Sequence, residues 1–165
     1  LYVWFVIEHG RRRIAHFNVT SHPHSQWVIQ QLREAFPYDE PPRHLIFDRD
    51  SSFSRTVVRT IESFDTKPAR TAYRSPWQNP FSERWVRSVR EEMLDHVVVF
   101  GEMHLWELMR AYVRYHNEDR PHYSLTQKDA PISRHIQQRP SSNAKVIAFP
   151  RVCGIHHRYE WREAA

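Results

Sequence analysis

The sequence predicts a layered α/β domain with a mixed sheet. Three observations lead there. The first twenty residues read as two strands around a turn at Glu8-His9-Gly10-Arg11. Helical and strand-like periods then take turns as far as about His116, and no segment repeats. With 165 residues, 40% hydrophobic and 13% aromatic, the chain can bury one core and suits one domain with a short tail.

The elements follow from local chemistry. Leu1 to Ile7 is a continuous apolar run and reads as a buried strand. Arg13 to Val19 alternates, with Ala15, Phe17 and Val19 on one face, as a half-buried strand does. Ser21 and Pro23 are helix-opening residues, and Val28, Leu32, Ala35 and Phe36 follow at the helical period. Pro37 to Arg43 is a loop with two adjacent prolines, and His44 to Phe47 is a short strand ending on Asp48. Ser51 or Ser52 can cap a helix that carries Phe53, Val57, Ile61 and Phe64 on one side. Lys67 to Tyr73 reads as a strand and Arg74 to Gln78 as a loop. Asn79-Pro80 then starts a helix running to about Asp95, Asn as cap and Pro at the first helical position. A further helix runs from Glu102 to about His116 with Leu105, Leu108, Met109, Tyr112 and Tyr115 inward. Arg139 to Asn143 has linker composition, and Lys145 to Tyr159 fits a small hairpin around Gly154. This divides the chain into a domain at 1–132 and a linker with tail at 133–165.

Composition narrows the function classes. One cysteine, Cys153, excludes an intrachain disulfide and a cysteine-only zinc site, and it fits a reducing compartment. No apolar run is long enough to span a membrane, and Leu1 to Ile7 has neither the basic leader nor the cleavage site of a signal peptide. The net charge is +5, and 21 of the 24 cations are arginines, whose guanidinium groups pair bidentately with phosphate. A Gly-rich phosphate loop is excluded because Gly10, Gly101 and Gly154 are scattered. The paired histidines His22/His24 and His156/His157 show no zinc spacing and read as surface or turn residues.

Two carboxylates stand out by position. Asp48 lies at the carboxyl end of an apolar strand, where open α/β sheets place their ligands. Glu83 lies in the first turn of the helix begun at Asn79-Pro80. Phe81, Trp85, Val89 and Met93 share one side of that helix, while Glu83, Arg87 and Arg90 share the other at i, i+4 and i+7. Taken singly, an aspartate after a strand caps the next turn, and a glutamate near a helix start complements the helix dipole. Asp50 likewise reads as a loop aspartate. The combination, with 35 positions between Asp48 and Glu83, carries the case for a site.

On these residues the chain resembles a known family. Leu45 to Phe53 (LIFDRDSSF) looks like the second-aspartate motif of retroviral-integrase-like catalytic cores. Tyr73 to Trp85 (YRSPWQNPFSERW) resembles the glutamate motif of insertion-sequence transposases of that superfamily, with Ser75-Pro76-x-x-Asn79 ahead of Glu83. Leu94 to Phe100, Tyr115 to Leu125 (YHNEDRPHYSL) and Pro150 to Tyr159 resemble segments that follow in such proteins. The resemblance implies an RNase H-like mixed sheet flanked by helices, and DNA integration or transposition by metal-dependent phosphodiester cleavage and strand transfer. It carries Asp48 and Glu83 onto the second and third members of a three-carboxylate catalytic site holding two Mg²⁺ or Mn²⁺ ions. It makes Arg74, Arg84, Arg87 and Arg90 the candidate DNA contacts, acting on phosphates and giving position rather than sequence specificity. The implied partners are DNA ends and target DNA, with a possible second copy of the chain, in a bacterial cytoplasm near the nucleoid.

The pattern departs from the family at its start. The first catalytic aspartate and the central strand that bears it are not in this sequence, and Glu8 stands at the turn end of the opening hairpin. The chain also opens Leu1-Tyr2-Val3-Trp4 with no initiator methionine, which is expected of a piece of a longer reading frame. Two consequences are expected: a metal site with two carboxylates and weakened ion binding, and a sheet that either remains as separate fragments or closes over a gap. The alternative reading is an inactive remnant that only binds nucleic acid or oligomerises.

Overall fold

A computed structural model describes residues 1–37, 41–133 and 137–163. The chain divides into two compact units, Leu1–Ile7 with Ala15–Arg87, and Glu8–Ile14 with Ser88–Ala165.

In the first unit, β1 (Tyr2–Ile7) and β2 (Ile14–Thr20) form one two-stranded sheet, and β3 (His44–Phe47) and β4 (Lys67–Arg70) form another. The β3–β4 ladder is parallel, with His44 opposite Lys67 and Phe47 opposite Arg70. It ends where the Thr71 amide donates to the Phe47 carbonyl at 2.9 Å, so β4 is shorter than the predicted run to Tyr73. Helices α1 (Ser25–Ala35) and α2 (Arg55–Ser63) supply the rest of the core. Val28, Ile29, Leu32, Phe47, Val57 and Ile61 form its buried cluster, with Trp4, Phe53 and Phe64 packed against it. The predicted inward faces of both helices are therefore the ones buried.

Two helix starts fall later than the sequence predicts. α1 begins after His24, whose Nδ1 accepts from the Trp27 amide at 3.3 Å, so the imidazole caps a helix expected to open at Ser21 and Pro23. α2 begins after Ser54, and the Ser52 hydroxyl and amide both bond the Asp50 carboxylate in a tight turn and do not cap the helix.

Of the two outcomes expected for the sheet, separate fragments or closure over a gap, the structure shows the fragments. Among the described residues the strands form three separate two-stranded ladders, β1–β2, β3–β4 and the tail hairpin.

Helix α3 (Pro80–Glu92) stops three residues before the predicted Asp95, and a short 3₁₀ turn follows at Leu94–His96. In the second unit, Val89, Met93, Leu105, Leu108, Met109 and Tyr112 are buried. Most of them come from α4 (Glu102–Glu118), whose inward face matches the predicted one except that Tyr115 is only half-buried. The tail is a hairpin, β5 (Lys145–Arg151) against β6 (His156–Arg162), antiparallel with Ala148 opposite Tyr159. Its turn takes left-handed backbone at Val152, Cys153 and Gly154, and Cys153 is exposed. Residues 134–136 of the predicted linker, and 38–40 of the predicted proline loop, lie outside the described residues. Among the described residues, no helix is long and apolar enough to cross a membrane.

Candidate active site

Asp48 stands where β3 ends. Its Oδ1 accepts the Asp50 amide at 3.0 Å, which turns the chain away from the strand and leaves the carboxylate exposed. Hydrogen bonds from the Ser52 hydroxyl and amide hold the Asp50 carboxyl below its ordinary range. Those bonds commit Asp50 to the turn, which agrees with its reading as a loop aspartate.

Glu83 is delivered by the loop after β4. Pro76–Gln78 form a 3₁₀ turn, the Asn79 carbonyl accepts the Glu83 amide at 3.2 Å, and α3 starts at Pro80 as the Asn79-Pro80 pair predicts. Trp85, one turn further, is buried at 3% exposure and meets the ring of Phe5 with centroids 4.2 Å apart. That contact fixes the rotation of α3 about its axis within the first unit, so Glu83 and Arg84 are presented outward. Arg87 and Arg90 are exposed too, as the predicted polar face requires.

Asp48 and Glu83 line one cleft of about 510 Å³, together with Arg49, Phe53, Ala72, Arg74 and Val86. Sequence reasoning proposed the two carboxylates and Arg74, and the fold brings all three to this cleft. It does not bring Arg84, Arg87 or Arg90 into the lining. Arg74 sits on left-handed backbone, φ 53°, with its guanidinium 5.1 Å from the centroid of the Tyr73 ring. Tyr73 and Trp77 are 71% and 70% exposed, unusually open for large aromatics.

Arg49 was missed. Its Nε donates to the Thr71 carbonyl at 2.9 Å, so the residue after Asp48 holds the start of the loop that carries Glu83. The signal was a second charged residue beside Asp48, a residue whose partner is more than twenty positions away.

The donor set bears on an implied metal. Asp48 and Glu83 are hard oxygen donors in one cleft, and one or two carboxylates completed by water and phosphate oxygens suit Mg²⁺. Among the described residues there is no cluster of three or more His, Cys, Asp or Glu side chains placed to hold a metal ion. The pair fits one divalent cation in kind, without the third carboxylate of a two-ion cage.

Residues 65–129 match the family model of the integrase core domain. No curated protein matches the chain. Among solved structures, the fold is similar to a chain of the cryo-electron-microscopy structure of the simian T-cell lymphotropic virus intasome in complex with PP2A regulatory subunit B56 gamma, at a TM-score of 0.61 and 13% identity. The match covers 97% of this chain and 60% of that one, so this chain spans less than two thirds of that relative's length. The matched family segment contains Glu83 and the loop that leads to it, and over most of its length the chain is similar in fold to that intasome chain.

Proposed function

We propose that this chain acts in DNA integration or recombination, its cleft receiving a phosphodiester of DNA between the Asp48–Glu83 pair and the arginines Arg49 and Arg74. The observation that carries the reading is that two carboxylates separated by 35 positions in sequence line one cleft with two guanidinium groups.

The charge pattern explains what each residue does. Two carboxylates alone repel a phosphodiester, so an anionic backbone approaches them only with cations beside it. Arg49 and Arg74 supply fixed positive charge on the cleft wall. A divalent cation, Mg²⁺ or Mn²⁺, held by Asp48 and Glu83 supplies Lewis-acid polarisation of a phosphoryl oxygen when bound. Arg84, Arg87 and Arg90 on the outer face of α3 are suited to contacts along the sugar-phosphate backbone beyond the cleft. The exposed rings of Tyr73 and Trp77 border the same loop and offer flat surfaces to bases.

Binding to a DNA duplex across a range of salt concentrations tests the reading. Affinity falls with salt, and Arg74→Gln lowers the slope of log affinity against log salt by about one. An affinity indifferent to salt, or absent altogether, contradicts a DNA-binding role. Binding that persists without any Mg²⁺-dependent cleavage, even with Asp48 and Glu83 intact, favours the non-catalytic alternative.

A further inference from the structure

We infer that Gln78 is a positioning residue for Glu83: its side-chain carbonyl clasps the loop between β4 and α3 and sets where Glu83 stands relative to Asp48. The inference rests on the proposed Asp48–Glu83 site and adds the device that holds the pair in place.

The stretch from Ala72 to Gln78 has little packing to shape it. Ala72, Tyr73, Arg74, Pro76, Trp77 and Gln78 are exposed and Ser75 is half-buried. Hydrogen bonds must therefore fix its path. The Ala72 amide donates to Gln78 Oε1 at 2.6 Å, joining the two ends of the stretch. Inside it, the Gln78 amide donates to the Ser75 carbonyl at 3.1 Å, and Ser75 Oγ donates to the Tyr73 carbonyl at 3.2 Å.

Both ends of this clasp lead to the site. Ala72 follows Thr71, whose amide donates to the Phe47 carbonyl and whose carbonyl accepts from Arg49, each at 2.9 Å. Phe47 and Arg49 are the two neighbours of Asp48 in the chain. Gln78 precedes Asn79, whose carbonyl accepts the Glu83 amide and opens α3. The path from one carboxylate to the other thus runs through Arg49, Thr71, Ala72, Gln78 and Asn79, and the side chain of Gln78 is the link that closes it. Arg74, in the middle of the clasped stretch, occupies left-handed backbone at φ 53°. A non-glycine residue keeps such a conformation where its surroundings over-determine it.

The side chain's role is specific. The donor is a backbone N–H, so an acceptor oxygen two carbons beyond Cβ is required. Glutamate keeps that oxygen, and methionine keeps the length without it. Gln78 is exposed, so neither change disturbs a core.

Amide exchange and Mn²⁺ titration of the wild-type chain, Gln78→Met and Gln78→Glu test this. Gln78→Met is expected to speed exchange at Ala72 and at Glu83 by about tenfold, the worth of one net hydrogen bond. It is also expected to weaken Mn²⁺ binding about tenfold, as loss of a group that orients a metal ligand does. Gln78→Glu restores the wild-type behaviour in both. An unchanged Glu83 amide in Gln78→Met, or a Glu variant as impaired as the Met variant, overturns the inference. A wild-type chain that takes up no Mn²⁺ defeats the cation site, while the exchange comparison still decides the clasp.

Discussion

Asn117 pairs with Ile14 through both backbone groups of the isoleucine: the Ile14 amide donates to Asn117 Oδ1 at 2.9 Å, and Asn117 Nδ2 donates to the Ile14 carbonyl at 3.0 Å. A side-chain amide thereby does for Ile14 what a neighbouring strand would do. Both residues are buried, Ile14 at 3% and Asn117 at 8% exposure, so water cannot replace either bond. One position earlier in α4, His116 Nε2 is 3.0 Å from the Arg12 carbonyl and donates to it. The end of α4 thus grips the chain from Arg12 to Ile14 at two successive residues.

Asn117→Leu is expected to destabilise the second unit by about 2–4 kcal/mol, because it leaves a buried amide and a buried carbonyl without partners. Urea unfolding measures this. A loss well under 1 kcal/mol would mean that water reaches Ile14.

His116 and His122 make stability depend on pH. Burial pushes both imidazoles down to about 4, from an ordinary value of 6.5, with the Arg120 guanidinium acting in the same direction. Their neutral forms are the folded forms. The stability they permit is fully present above pH 6.5 and is lost as the pH falls toward 4, where the unfolded chain takes up protons that the folded chain does not. For His116, 3% exposed, the loss amounts to about 3 kcal/mol. Unfolding free energies at a series of pH values check this, and His116→Gln is expected to flatten the profile over that window.

Asp119 secures the tail hairpin within the second unit. Its side chain is fully buried, accepts Arg151 Nε at 2.7 Å and lies 3.8 Å from Arg158 Nε. Asp119→Ala is expected to cost about 3–5 kcal/mol, since it strands partly buried guanidinium charge. Faster amide exchange along β5 and β6 would accompany it; unchanged exchange there would show that the hairpin is held by other contacts.

Glu92 is a counterpart on α3. Burial pushes its carboxyl up, but hydrogen bonds and charge from Arg120 outweigh burial and hold it below its ordinary range. Arg120 Nε donates to Glu92 Oε2 at 2.9 Å, and the Tyr112 hydroxyl donates to the same oxygen at 2.9 Å. Glu92→Gln removes the charge facing Arg120 and is expected to lower stability near neutral pH by roughly 1–3 kcal/mol, an effect that shrinks in acid as the wild-type carboxylate is itself protonated. Thermal unfolding at two pH values decides it.

The helices were the most legible part of the chain, because apolar spacing at Val57 and Ile61, or at Trp85, Val89 and Met93, states directly which face is buried. The placement of Asp48 and Glu83 was legible for a related reason: one ends an apolar strand, and the other sits opposite a clear apolar stripe. The roles of Arg49, Gln78, His116 and Asn117 were not. Each acts on a backbone group brought near by the fold, and no periodicity in the sequence marks such a partner. Which of the two expected outcomes the sheet would take was not legible, because local strand signals say where the chain is extended and carry no information on whether two extended edges meet. The tail hairpin was read correctly from Gly154, but its anchor at Asp119, far earlier in the chain, left no local trace.

The proposed role of the cleft turns on whether Asp48 and Glu83 hold one divalent cation together. Mn²⁺ titrated into the isotopically labelled chain provides the measurement, read as paramagnetic broadening of amide resonances. Saturable broadening is expected at Asp48 and at Glu83 together, abolished by Glu83→Gln in a chain that still binds DNA. Resonances of both residues that stay sharp at saturating Mn²⁺, or broadening that survives Glu83→Gln unchanged, would contradict it.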